Sequence, residues 1–176
     1  VKDRSHLFRG VTYGTLLRDE AFNFIRVGTF LERADSTARI LDVKYHVLLP
    51  SVREVGGAVD YYQWAALLRS VSSLRAYRKV YKNAITPRRV AELLILRGDM
   101  PRSLLACFTE LTENLSALRD LYRRDYESTR LALAMHSRLK YGAMEDVFTQ
   151  GLHEYLTDFI DSNVALGNAI HRDFMM

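Results

Sequence analysis

The chain has little cysteine, proline or tryptophan: one, three and one residues in 176, with nine glycines. A single thiol, Cys107, excludes an internal disulfide. Its neighbours Leu104-Leu105-Ala106 and Phe108 make it a small buried group, and both points favour a reducing, cytoplasmic setting. No apolar run approaches the ~20 residues of a membrane-spanning helix. The N-terminus, Val1-Lys2-Asp3-Arg4-Ser5-His6, has no apolar stretch after its charges and does not read as a signal peptide. It also lacks an initiator methionine, so we expect a piece of a longer product. No segment alternates apolar and polar residues as a strand would.

Several chemistries are missing as well. Gly10 to Gly14 and Gly56-Gly57 lack the lysine and hydroxyl of a P-loop and the triple glycine of a dinucleotide fold. His153-Glu154 begins like a zinc-protease helix, but Thr157 stands where the second histidine must be. Paired Glu-x-x-His elements of a di-iron bundle do not occur, and the Ser, His and Asp residues are too scattered to argue a triad. The sequence therefore assigns no catalytic residue, no metal and no cofactor.

What is present is ordinary globular material, 48% hydrophobic and 26% charged, enough at this length to bury roughly 70% of the unfolded surface. The net charge of +4 is mild, and arginines such as Arg88-Arg89, Arg97, Arg102, Arg119 and Arg123-Arg124 are dispersed. A basic nucleic-acid-binding domain is a weak alternative on that pattern.

Periodicity of 3.6 residues predicts an all-α, antiparallel bundle of about five to six helices forming one domain over 1–176. A long helix is expected over 17–48, stopping before Pro50, preceded by one short helix around Leu7. Residues 51–59 form a loop. A second helix runs over 60–82 from a capping box at Asp60 and Gln63. A third starts at Thr86-Pro87 and ends at Gly98, and Pro101 opens a fourth. The fifth covers 128–141 and the last 144–174, with Phe148, Leu152, Tyr155 and Phe159 among its core.

One feature of the long helix stands out. At 100° per residue, Gly28, Glu32, Asp35, Arg39, Asp42 and His46 share an arc of about 80°. Val27, Leu31, Ala34, Ala38, Tyr45 and Leu49 flank it on one side, and Phe22, Ile25, Ile40, Val43 and Val47 on the other. The stripe can be a solvated face with i,i+3 and i,i+4 pairs, a buried ion network, or a ligand or metal site in which Asp42 and His46 lie one turn apart. The two apolar flanks point to partial burial. Arg39 would then be the cation that keeps Glu32 and Asp35 ionised, and Arg39→Ala would destabilise more than Arg33→Ala. Arg33 falls on a second, cationic face with Arg26, Thr37 and Lys44.

The run Phe30-Leu31-Glu32-Arg33-Ala34-Asp35-Ser36-Thr37-Ala38-Arg39-Ile40-Leu41-Asp42 resembles the signature of the alpha-E family, helical bacterial proteins named for a Glu-Arg motif. Val43-Lys44-Tyr45-His46, Gln63-Trp64-Ala65-Ala66-Leu67-Leu68-Arg69-Ser70, Pro101-Arg102-Ser103 and Gly151-Leu152-His153-Glu154 match in order. The resemblance extends nearly end to end and implies the C-terminal half of a longer protein. Leu96-Arg97-Gly98-Asp99-Met100-Pro101 departs from the family pattern. The family's company, circularly permuted ATP-grasp proteins and transglutaminase-like proteases, implies a system that makes or trims peptide amide bonds. The resemblance thus implies a non-catalytic accessory or recruiting module, with an ATP-grasp-type protein and the preceding half of its own chain as partners and homo-oligomerisation left open. Its candidate motif residues are Glu32, Arg33, Asp35, Arg39, Asp42, His46, Arg102, Ser103, His153 and Glu154. The competing class is a metal- or ligand-binding bundle enzyme using the acidic stripe.

Overall fold

The computed structural model describes residues 2–47 and 58–175, with the backbone alone for 2, 44–47 and 58–60. Among the described residues there are helices and no strand. In chain order they are α1 (Lys2–Thr15), α2 (Glu20–Val47), α3 (Ala58–Ser70), α4 (Leu74–Tyr81), α5 (Pro87–Ile95), α6 (Leu104–Tyr122), α7 (Glu127–Tyr141), α8 (Met144–Gln150) and α9 (Leu152–Met175). None of them is long and apolar enough to cross a membrane.

The all-α expectation holds, but the helix count is higher, for local reasons. The short helix expected around Leu7 is a full helix over residues 2–15. The expected helix over 60–82 breaks at Val71–Ser73. There Ser72 takes φ 57°, and the Ser73 amide bonds back to the Leu68 carbonyl at 2.7 Å and the Ser72 amide to Arg69 at 2.9 Å. This is a Schellman ending. Ser72, Lys82 and Arg123 hold the left-handed position after α3, α4 and α6, where glycine would be the usual occupant. The expected last helix breaks at Gly151, whose φ of +99° and ψ of 130° suit glycine alone.

Other boundaries shift by a few residues. Asp60 lies inside α3, which already includes Ala58, so it is not a cap. Thr86 does cap α5, its hydroxyl accepting from the Arg89 amide with Pro87 at the first helical position. That helix ends at Ile95, before Gly98. Pro101 does not open α6; the cap is Ser103, whose buried hydroxyl accepts from the Ala106 amide at 3.0 Å and donates to the Arg97 carbonyl at 2.6 Å. The stop at Pro50 and the Gly56-Gly57 loop lie outside the described residues.

Helices α2, α6, α7 and α9 form the central bundle: α2 packs on α6 and α9, and α7 closes the ring against both. The four-residue link between α6 and α7 makes that pair antiparallel. Phe30, Ala34, Ala38 and Leu41 of α2 meet Phe108, Leu111, Leu115 and Leu118 of α6 and Leu156, Phe159 and Leu166 of α9 in one buried cluster. Each large apolar side chain so buried contributes about 1.5–3 kcal/mol. Ala34 and Ala38 remove bulk where α2 is covered, and Gly167 of α9 leaves just enough room for Leu31, since a Cβ there would sit 3.4 Å from Leu31 Cδ2. Asn163 of α9, buried, donates to the Leu31 carbonyl at 3.3 Å.

Helices α3, α4 and α5 pack on one another and join the bundle through α2 and α6. Tyr77 is wholly buried among them. Its hydroxyl donates to the Ala84 carbonyl and accepts from the Thr86 amide, each at 3.1 Å, and so fixes the α4–α5 connection. Phe148, expected in the core, is 39% exposed, and Leu121 is 56% exposed. Both sit near the ends of their helices, where the bundle no longer covers them.

Candidate functional site

Helix α2 settles where the Glu-Arg pair points. Its buried face runs through Val27, Phe30, Ala34, Thr37, Ala38 and Leu41, towards α6 and α9. Val27, Ala34 and Ala38 of the first apolar flank are buried; in the second, Phe22 is buried and Ile40 half-buried, but Ile25 and Val43 are exposed. A stripe whose second flank is open at Ile25 and Val43 is not enclosed. Glu32 is exposed, and among the described residues no hydrogen bond or ion pair reaches it.

The Arg39 side chain is 55% exposed and binds Asp35 on its own helix, Nε to Oδ2 at 2.7 Å. That hydrogen bond, reinforced by the carboxylate's charge, holds the Arg39 guanidinium above its ordinary range. An exposed i,i+4 pair of this kind contributes little to stability. The expectation that Arg39 is the buried cation of the stripe is therefore corrected, and the ranking of Arg39 above Arg33 with it.

Asp42 leaves the stripe for a different partner. Its carboxylate meets His153 Nδ1 at 2.6 Å across the α2–α9 boundary, with both side chains mostly covered. The hydrogen bond to Asp42 raises the His153 pKa above the usual imidazole value. Glu154, the next residue, folds over Gly151 at the start of α9: a Cβ on Gly151 would lie 2.1 Å from Glu154 Oε2. A carboxylate in the first turn also complements the helix dipole. The motif residues His153 and Glu154 thus fix the entry of α9 and its contact with α2. The His46 side chain lies outside the described residues. Among those described, no three His, Cys, Asp or Glu residues gather as metal ligands.

The second, cationic face is the one that turns inward. Thr37 Oγ1 is buried and donates to the Arg102 carbonyl at 3.0 Å, which ties α2 to the turn before α6. Arg26 pairs with Glu110 of α6. Arg33 lies half-buried over the Phe30 ring, its guanidinium carbon 4.8 Å from the ring centre, with one long contact of 3.4 Å to the Pro101 carbonyl. Arg26 stacks on the same ring at 4.4 Å and near Tyr13 at 5.3 Å. Burial pulls the Arg33 guanidinium below its ordinary value, and the positive Arg102, Arg9 and Arg26 nearby add to that.

Two adjoining clefts open on this face and share Tyr13, Arg26 and Arg33. One, of about 280 Å³, lies between α1 and α2 and includes Arg9, Phe22 and Thr29. The other, of about 360 Å³, reaches Asp99, Pro101, Thr109 and Glu110. Arg33, the arginine of the motif, stands between them.

The decisive comparison is with protein families. A family model described as a predicted alpha-helical domain with a conserved ER motif matches residues 1–175. The chain belongs to the Alpha-E family. No curated protein and no solved structure matches it. The Glu-Arg pair of this Alpha-E chain is thus split by one step of helix: Glu32 outward into solvent, Arg33 inward to the clefts. Arg102 and Ser103, from the matching segment Pro101-Arg102-Ser103, serve the same region, one through its carbonyl and charge and the other as the α6 cap. Reading the stripe alone missed Arg9, Tyr13 and Glu110. Arg26 and Arg33, seven residues apart with Phe22 and Phe30 beside them, carried a visible signal, since that spacing returns to the same side of a helix.

Proposed function

We propose that this domain is a non-catalytic helical module that recruits a peptide-ligating or peptide-modifying partner of ATP-grasp type. The observation that supports the reading best is the surface of α1. Leu7, Phe8 and Val11 fall on one side of that helix and are 67%, 63% and 51% exposed. Leu17, just after it, is 76% exposed. Apolar side chains grouped in this way on a helix mark a surface that another polypeptide covers. That this polypeptide is of ATP-grasp type is what the resemblance implies, and the partner's own fold would supply the nucleotide chemistry.

The test is a titration of the purified ATP-grasp-type protein of the same host into this chain. A saturable complex is expected, weakened at least about tenfold when Leu7 and Phe8 are both changed to Asp, since buried apolar anchors dominate such interfaces. No complex, or one indifferent to the double substitution, overturns the proposal. So does a preceding half of a longer chain that takes this face instead. In that case the same substitution would destabilise the longer chain and leave partner binding unchanged.

A further inference from the structure

The cleft between α1 and α2 carries more positive charge than the described residues neutralise. Arg9, Arg26 and Arg33 line it together with Tyr13 and Phe22. Glu110 answers Arg26, and Asp99, which lines the adjoining cleft, is taken by Arg97 at 2.5 Å. Among the described residues no carboxylate lies within ion-pair distance of Arg9, Arg33 or Arg102. Cys107 cannot serve as the anion, because burial pushes its thiol up to about 12 and leaves it neutral at physiological pH. A half-buried guanidinium with no counter-charge is costly unless something else meets it.

We propose that this cleft binds a phosphate-bearing anion. Two uncompensated guanidinium groups match a dianion better than a single carboxylate. Guanidinium forks fit phosphate oxygens in bidentate geometry, and Arg33 and Arg26 are held against Phe30, so they lose little freedom on binding. The volume of about 280 Å³ suits a phosphate group on a small carrier and is too small for a dinucleotide. This site shares Phe8 with the apolar side of α1 but does not require the partner named above. The competing explanation gives Arg33 a purely structural task, fastening α2 to the turn at Pro101.

Isothermal titration of this chain with inorganic phosphate, pyrophosphate and acetate, at matched ionic strength, separates the two. Saturable binding of phosphate and pyrophosphate is expected, with acetate far weaker. Arg33→Lys keeps the charge but loses the fork and should weaken pyrophosphate binding about tenfold or more. Arg9→Ala alters an exposed side chain, so it should weaken binding while leaving the thermal midpoint of the ligand-free protein unchanged. Absence of saturable binding overturns the proposal, as does wild-type affinity in both variants or acetate binding as tightly as phosphate.

Discussion

Replacing Arg33 with alanine should destabilise the fold, and replacing Arg39 should not. The arginines are six residues apart on α2, yet their surroundings differ. Arg33→Ala removes the stack on Phe30, a contact of about 0.5–2 kcal/mol for a cation over a ring, and the cover its stem gives the α2–α6 boundary. Because the guanidinium is only half covered, the stack belongs in the middle of that range. Relief of an uncompensated charge offsets part of the loss. The net expectation is a destabilisation of about 1–2 kcal/mol, or a urea midpoint lowered by about 0.5–1 M at a slope near 2 kcal/mol per molar. Arg39→Ala loses one hydrogen bond to Asp35 at the surface, and its midpoint should stay within experimental scatter. Chemical denaturation in phosphate-free buffer, followed by circular dichroism, measures both. A larger midpoint drop for Arg39→Ala than for Arg33→Ala would refute the placement of the two side chains.

Three further outcomes follow from the site. His153 has a raised pKa through Asp42, so its contribution to stability should be complete below about pH 6.5, the unfolded imidazole value, and fade as pH rises through the folded value. His153→Gln should flatten that part of the stability profile. Gly151→Ala should cost about 1–3 kcal/mol in thermal or urea unfolding, because φ of +99° strains any residue with a Cβ even after Glu154 moves aside. Cys107 is fully buried and protonated, so a thiol reagent should label it only as fast as the protein opens.

The class of fold was legible because periodic apolar residues need no knowledge of partners: Leu111, Leu115 and Leu118 of α6 are all fully buried. The breaks were less legible. Ser72, Lys82 and Arg123 end helices in a conformation that composition assigns to glycine, and only the hydrogen bonds around them reveal it. The site was misread for a related reason. A helical wheel shows which residues share a side but not which side a neighbour covers. Ile25 and Val43 looked like part of a buried flank and are exposed, whereas Arg26, Arg33 and Thr37, read only as a second, cationic face, lie against α6 and the turn before it. His153 and Asp42, 111 residues apart, could be paired only once α9 was placed beside α2.

The central claim is that the motif arginine turns into a cleft that takes an anion, while the acidic stripe faces water. A crystal structure of the chain grown with pyrophosphate tests both halves together. It should show Arg33 against Phe30, Arg39 in solvent beside Asp35, and density for the anion between Arg9, Arg26 and Arg33. Arg33 extended into solvent, with no anion bound in that cleft, would contradict it.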